Sequence, residues 1–154
     1  MFVRYFLELP IDRPRVEEAL TRDPQEWIPR IAEDATSQGD ALLAEVGFGN
    51  EVRVKRRVAL EFGTPVHLSH KTMFPLQWTP TEAAGLFPAL DADLEIVWLA
   101  PERTQLAISA RYAPPLGSIG RAIDRTLLFR VAEATMKDFL DGVGEAVMAS
   151  FTTA

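Results

Sequence analysis

Cysteine is absent from the sequence, which excludes disulfide bonds, thiolate metal sites and a cysteine nucleophile. Long apolar runs are also absent, since none approaches the roughly 18 residues that a membrane-spanning helix needs. The first ten residues, MFVRYFLELP, include Arg4 and Glu8 and lack a basic leader, which is not the pattern of a signal peptide. We therefore expect a soluble, cytoplasmic protein without stable membrane insertion.

Histidine is scarce, with only His67 and His70, both in the segment HLSH. On a strand, residues three apart point to opposite faces, so this pair is poorly placed to chelate one metal ion. The sequence also lacks the Rossmann fingerprint and the G-x-S-x-G elbow of hydrolases. It therefore predicts neither a metal nor a cofactor.

Basic residues are outnumbered, with 16 basic against 22 acidic side chains and a formal net charge of −6. Such a charge repels phosphate backbones unless the basic residues are segregated. One cluster, RVKRR, places Arg53, Lys55 and Arg57 on one strand face without interleaved aromatic residues, which favours a solvated face over a nucleic-acid patch. No nucleic-acid partner is expected.

The composition that remains is that of an ordinary globular protein, 47% hydrophobic and 25% charged over 154 residues. A chain of this length buries enough surface to form one core without disulfides or metals. We therefore expect a single domain over residues 1–154. Long edge strands pair between copies or are protected by charges, so a monomer and a homodimer are both compatible with the sequence.

Hydrophobic periodicity predicts the order of the secondary structure. Residues 2–9 alternate as a strand, Asp12 and Pro14 favour the start of a short helix, and a second short helix begins near Asp23. Residues 41–48 are typical of another strand. Four further alternating blocks follow at residues 51–62, 64–78, 93–100 and 104–112. Short polar turns between these blocks indicate an antiparallel sheet.

The last predicted element is one long helix over residues 119–147. Its apolar residues recur at spacings of three and four and form a broad stripe, which includes Thr135 and Phe139. At 1.5 Å per residue the helix would span roughly 43 Å, enough to cross the whole sheet. The sequence therefore predicts an α+β fold in which a curved antiparallel sheet wraps around the C-terminal helix. A cavity remains between them unless large side chains fill it.

Strand parity selects the residues that are predicted to face this cavity. The apolar face of residues 64–78 includes His70 and Thr72, and the inner face of residues 51–62 includes Arg56. Trp98 and Tyr112 lie on apolar faces of the last two strands. The candidate ligand-binding residues are therefore Arg56, His70, Thr72, Trp98, Tyr112, Thr135 and Phe139, and no catalytic residue is assigned.

Each candidate also has a structural interpretation. Arg56 either clamps a ligand carboxylate, phenolate or carbonyl, or is a strand-end residue whose head reaches water or pairs with an acid. His70 either contacts a ligand or is a hydrogen-bonded core imidazole. The aromatic residues form either a ligand platform or ordinary core packing.

Three segments of the chain carry a likeness to a known family: residues 86–96 (LFPALDADLEI), the run Pro114-Pro115-x-Gly117, and the run Gly120-Arg121…Asp124-Arg125. With the order of elements, they make nearly the whole chain resemble the SRPBCC superfamily, the START-related, birch-pollen-allergen-like and polyketide cyclase/dehydrase-like proteins. The resemblance implies a helix-grip fold and a hydrophobic ligand cavity. The superfamily shares no catalytic motif, so no particular reaction is implied.

Three functions are compatible with these patterns. The first is binding or carriage of a small hydrophobic molecule of the lipid, polyketide or isoprenoid class. The second is a polyketide cyclase, aromatase or dehydratase in which Arg56, His70 or Tyr112 moves protons. The third is an interaction protein whose interior is filled by side chains. Whether the protein is an enzyme is left open by the sequence.

Overall fold

The computed structural model describes residues 2–45, 58–80, 90–112 and 125–152. Strand β1 (Phe2–Leu9) is followed by helices α1 (Arg13–Thr21) and α2 (Pro24–Glu45). The last described element is helix α3 (Arg125–Thr152). Between these helices lie β2 (Val58–Phe62), β3 (Val66–His67), β4 (Lys71–Pro80), β5 (Leu90–Ala100) and β6 (Arg103–Tyr112).

The six described strands form one antiparallel sheet in the order β1-β6-β5-β4-β2, with β3 alongside β4. Strands β4, β5 and β6 are neighbours in sequence and in space, as the short connections of an antiparallel meander require. Strand β1 pairs with β6, so the first and last strands lie side by side. The predicted α+β fold, with helices after the first strand and a long C-terminal helix, is confirmed.

Helix α3 packs against one face of the sheet through the stripe that the sequence predicts. Burial of large apolar side chains along such a stripe stabilises the fold by roughly 1.5–3 kcal/mol each. The helix continues past Gly142 and Gly144 to Thr152, whereas the predicted start at residue 119 lies outside the described residues. The buried residues of α3 are Val131, Ala132, Thr135, Met136, Phe139, Leu140, Val143 and Val147.

The two glycines of α3 let the helix approach its neighbours closely. A Cβ atom on Gly142 would lie 2.7 Å from Cγ2 of Ile31 on α2, and one on Gly144 would lie 3.3 Å from both δ carbons of Leu7 on β1. Residues two apart point in nearly opposite directions around a helix. Because these two residues have no side chain, α2 and β1 can pack closely on opposite sides of α3. The packing that results offsets the weak helix propensity of glycine.

Helix α2 extends further than the sequence indicates, because it continues from Pro24 to Glu45. The strand predicted at residues 41–48 is wrong where the structure describes it, since residues 41–45 are helical. The segment ALLAE has strong helix formers, and a short apolar run does not distinguish a strand from a buried helix. Pro29 lies in the second turn, where its missing N–H group removes one hydrogen bond of the helix.

Candidate functional site

The inner face of the sheet carries a row of large buried side chains. Tyr112 lies opposite Leu90, Leu90 opposite Trp78, and Trp78 opposite Leu60, so the row crosses four strands. All four residues are buried, and Trp78 is fully enclosed. With about 4.8 Å between neighbouring strands, the row is about 14 Å wide. It forms an apolar wall, which we call the inner wall, and its Trp78 contacts helix α3.

Helix α3 meets the inner wall through Phe139. The rings of Phe139 and Trp78 have centroids 5.0 Å apart and an interplanar angle of 64°. This edge-to-face arrangement directs the positive edge of one ring at the negative face of the other. Both side chains are fully buried, so the contact fixes the helix relative to strand β4.

Thr135 lies one turn before Phe139, and both side chains are fully buried on the same side of α3. Its hydroxyl group donates a hydrogen bond of 2.8 Å to the carbonyl oxygen of Val131, four residues earlier. This back-bonding satisfies a buried hydroxyl without a partner on another element. The structure therefore places Thr135 and Phe139, two predicted site residues, next to each other.

Tyr112 is the residue of the inner wall that carries a phenolic hydroxyl group. Its side chain is buried, and burial raises the pKa of Tyr112 above its ordinary value of 10.0 because the charged phenolate loses its hydration. At neutral pH the group is therefore a neutral phenol, which both donates and accepts hydrogen bonds.

The raised pKa of Tyr112 predicts a loss of stability at alkaline pH. Folding favours the neutral phenol, so its contribution is fully present below the unfolded pKa of 10.0 and is lost as the pH rises through the higher folded pKa. We expect the free energy of unfolding to fall as the pH rises above 10.0, and to fall less in Tyr112→Phe than in wild type. Urea unfolding at a series of pH values measures this free energy. An identical slope in wild type and Tyr112→Phe would contradict the assignment.

A polar cluster joins helix α1 to the other end of the sheet. Arg13 bonds Glu17 Oε1 at 3.1 Å, donates to the carbonyl oxygens of Leu68 and Ser69 at 3.1 Å each, and donates to Thr72 Oγ1 at 2.9 Å. The guanidinium thus uses its fixed fork of donors to hold α1 against the turn between β3 and β4. We call this group the Arg13 clamp.

Thr72 is the buried centre of the clamp, because its side chain is fully enclosed. It donates its one hydroxyl proton to Glu17 and accepts from Arg13. His67 Nδ1 lies 3.3 Å from the same oxygen. The hydroxyl of Thr72 therefore takes part in docking α1 against the sheet, and its contact with a ligand stays a prediction.

The clamp should be important for stability. Replacement of Arg13 by Met keeps the aliphatic stem but removes the ion pair with Glu17 and the hydrogen bonds to two carbonyl oxygens and to Thr72, so we expect a loss of about 1–3 kcal/mol in the free energy of unfolding. The matched control is Arg22→Met, because the Arg22 side chain is 73% exposed and pairs with Glu18 at 2.7 Å. That exposed pair should contribute less than about 1 kcal/mol. Equal losses in urea unfolding would contradict the clamp.

The structure corrects the predicted inward orientation of His70 and Trp98. His70 lies in the turn before β4 and is exposed, and Trp98 is 50% exposed. The backbone N–H of Trp98 donates to the carbonyl oxygen of His70 at 2.8 Å, so the two residues are neighbours at the outer end of the sheet. The alternation of residues 64–78 spans a turn at residues 68–70, and strand parity does not carry through a turn.

Arg56 lies outside the described residues, so its assignment as an anion clamp stays a prediction. The sequence signals for three other contributors are weak. Trp78 shares the inner-face parity of Thr72, but parity alone does not distinguish it from the other apolar residues of that face. Arg13 and Glu17 contact Thr72 across more than 50 positions of sequence, and neither periodicity nor a local motif indicates such a contact.

A second concave feature lies between α2 and α3 and opens to solvent. We call it the helix groove, and its volume is about 470 Å3. Its floor is made of small or aliphatic residues and its rim is acidic, and no sheet residue contributes to it. The groove is therefore separate from the inner wall. Its lining residues are Ile31, Asp34, Ala35, Gln38, Asp138, Gly142, Glu145, Ala146 and Ala149.

The described residues include neither a metal-ligand cluster nor a membrane-spanning helix. In residues 2–45, 58–80, 90–112 and 125–152, no three histidine, aspartate or glutamate side chains gather as metal ligands do. Within the same ranges, every helix falls short of the length or the apolarity needed to cross a bilayer.

Comparison with known proteins supports the fold. No family model matches the chain, and a search of the curated proteins found no match. Among solved structures, the Zhui aromatase/cyclase from Streptomyces sp. R1128 matches 99% of this chain and 96% of its own, at 15% identity and a TM-score of 0.53. A conserved protein from Geobacillus kaustophilus matches 96% of this chain and 95% of its own, at 17% identity and a TM-score of 0.51.

A third solved structure, DynU16 from the dynemicin biosynthetic locus, matches 97% of this chain at 16% identity and a TM-score of 0.50. This chain spans about half of it, 48%. Identities this low establish a shared fold and no shared activity. The protein shares its fold with these solved structures, and the helix-grip fold predicted from the sequence is confirmed.

Proposed function

We propose that the protein binds or carries a small hydrophobic molecule, of the lipid, polyketide or isoprenoid class, between the inner wall and helix α3. The observation that carries this proposal is the inner wall itself, a buried row from Tyr112 to Leu60 that contacts α3 through Trp78 and Phe139. Ligand sites of this kind are mostly apolar with a few polar groups that orient the ligand. Tyr112 and Thr135 are such groups.

The character of the wall favours a ligand recognised by shape and apolar contact. Apolar surface removed from water contributes about 25 cal/mol per Å2, before the cost of immobilising the ligand. Trp78 and Phe139 already contact each other edge to face, and aromatic rings favour a flat or ring-bearing ligand through the same quadrupole geometry. A polyketide or isoprenoid fits this description as well as a lipid does.

A second candidate is a polyketide cyclase, aromatase or dehydratase that uses the same space. Its support is the likeness to the Zhui aromatase/cyclase and the neutral Tyr112 phenol. Closing a ring on a carbonyl-rich chain requires a folded chain and a donor that polarises a carbonyl oxygen as negative charge develops. Tyr112 is the candidate for that donor. His70 is not a candidate for this donor, because it is exposed in the turn before β4.

Native mass spectrometry of protein purified from its own host tests the proposal. We expect an added mass that disappears after organic extraction, and an extracted compound that is hydrophobic. Tyr112→Phe then separates the two candidates. A carrier variant keeps its bound compound, whereas an enzyme variant binds a carbonyl-rich chain but no longer converts it. Protein that is free of any hydrophobic compound, and that binds none when lipids, polyketides and isoprenoids are offered, would contradict both candidates.

A further inference from the structure

Strand β1 forms one edge of the sheet. It pairs with β6 along its whole length of eight residues, and none of the described strands lies on its other side. Alternate residues of an edge strand direct their backbone N–H and C=O groups away from the sheet, where a further strand can pair with them. This edge is therefore a template for the addition of another strand.

The outer face of β1 alternates between aromatic and charged side chains. Phe2 and Phe6 are 55% and 56% exposed, and the side chains of Arg4 and Glu8 are 47% and 55% exposed. The odd-numbered residues point to the opposite face, where Val3 is buried. Two phenyl rings this exposed, next to unpaired backbone groups, mark β1 as a contact surface.

The order of the charges makes this surface complementary to itself. When two copies of β1 pair about a two-fold axis normal to the sheet, the outer face of one copy continues in that of the other. An axis at Phe6 places each Arg4 opposite Glu8 of the other copy and the two Phe6 rings opposite each other. An axis at Arg4 opposes two guanidinium groups, and an axis at Tyr5 or Leu7 places each Phe6 opposite a charge. Opposite charges and aromatic pairs stabilise directly opposed positions, whereas like charges destabilise them.

We propose that a second copy of this chain pairs antiparallel with β1 about a two-fold axis at Phe6, so that the two sheets become one. Charged residues protect an edge strand by repelling a further strand, but here each charge meets its opposite. The present contacts of these charges are long, 3.4 Å from Arg4 to Glu95 and 3.7 Å from Glu8 to Arg103. A guanidinium has five N–H donors, so Arg4 can bind a second carboxylate. The inner wall takes no part, and the proposal is independent of the proposed function.

Disulfide trapping tests the position of the axis, because the chain has no cysteine of its own. Directly opposed residues of antiparallel strands have Cα atoms about 4.5–5.5 Å apart, within the range of about 4.4–6.8 Å that a disulfide spans. We expect Phe6→Cys to form a disulfide-linked dimer on mild oxidation, and Arg4→Cys to form one only when it is mixed with Glu8→Cys. Non-reducing electrophoresis measures the dimer. Phe129→Cys, at a 39% exposed position on α3, is the control for random collisions.

Sedimentation equilibrium tests the role of the charges without a disulfide. Glu8→Arg places like charges opposite each other at two positions of the dimer, so we expect its dissociation constant to rise by about ten-fold or more over wild type. Glu102→Arg is the matched control, because it makes the same change of charge at an exposed residue between β5 and β6. It should leave the dissociation constant unchanged.

Three results would overturn the proposal. The first is a wild-type protein that stays monomeric at every concentration up to its solubility. The second is disulfide formation by Phe6→Cys no faster than by Phe129→Cys, or faster formation by Arg4→Cys alone, which would place the axis elsewhere. The third is a dimer that Glu8→Arg weakens no more than Glu102→Arg does.

Discussion

Thr135→Trp should abolish binding of an environment-sensitive fluorescent lipid while it changes the melting temperature little. Thr135 is fully buried beside Phe139, and an indole at this position projects into the space in which we place the ligand. If that space is open to a ligand, the added ring fills it and makes apolar contacts. If side chains already fill it, overpacking should cost about 1–3 kcal/mol of unfolding free energy. Probe titration and thermal unfolding of the same samples measure both quantities.

The matched control places the same indole in the helix groove. Ala146 lines this groove on the other side of the α2–α3 contact, and Ala146→Trp should leave probe binding unchanged if the ligand lies at the inner wall. Loss of probe binding in Ala146→Trp but not in Thr135→Trp would move the site to the groove. A large loss of stability in Thr135→Trp, with no probe bound even by wild type, would instead support the interpretation of a filled core.

Phe139→Ala should give the largest loss of stability of any change considered for this protein. Its side chain is fully buried and touches Trp78 at 5.0 Å between centroids. Removal of a buried phenyl ring loses its transfer free energy and leaves a cavity, which together cost about 3–5 kcal/mol. Urea unfolding measures the loss. Phe139→Leu leaves a smaller cavity and should cost clearly less.

Phe129→Ala is the control for Phe139→Ala, because the same change is made on the same helix at a side chain that is 39% exposed. Surface substitutions away from special contacts usually stay within about 0.5 kcal/mol. If both alanine variants lost the same free energy, the contact with Trp78 would not be what holds α3 on the sheet. Such a result would also remove Phe139 from the inner surface that we assign to the ligand.

The sequence predicts the fold well, because the apolar stripe of the last helix and the alternation of the strands are long and regular patterns. The stripe through Thr135 and Phe139 extends over more than five turns of α3, and each added turn makes a helix on a sheet a stronger prediction. The antiparallel meander follows in the same way from alternation between short polar turns. The burial of Tyr112 agrees with its parity on β6, although its contact with a ligand stays a prediction.

The sequence predicts the site less well, because the orientation of the site residues depends on where each strand ends and on contacts between distant segments. His70 continues the alternation of the strand that includes Thr72, yet the chain turns between β3 and β4 and leaves His70 exposed. Trp98 lies at the same end of the sheet, next to an irregularity in the pairing of β5 with β6, and its side chain is half exposed. The sequence predicts Thr72 as a ligand contact but does not indicate that Arg13 on α1 donates a hydrogen bond to its hydroxyl group. Contacts between distant segments have no local signal in one sequence.

The central claim is that a hydrophobic ligand lies between the inner wall and α3, and quenching of Trp78 tests it most directly. The chain has three tryptophans, so the double substitution Trp27→Phe and Trp98→Phe leaves Trp78 as the only indole fluorophore. Bromine quenches an indole only at short range, and a brominated long-chain alcohol that binds as we propose should quench Trp78 in proportion to its occupancy. Calorimetry on the same variant gives that occupancy independently. Saturable binding of the alcohol with undiminished Trp78 fluorescence would contradict the claim.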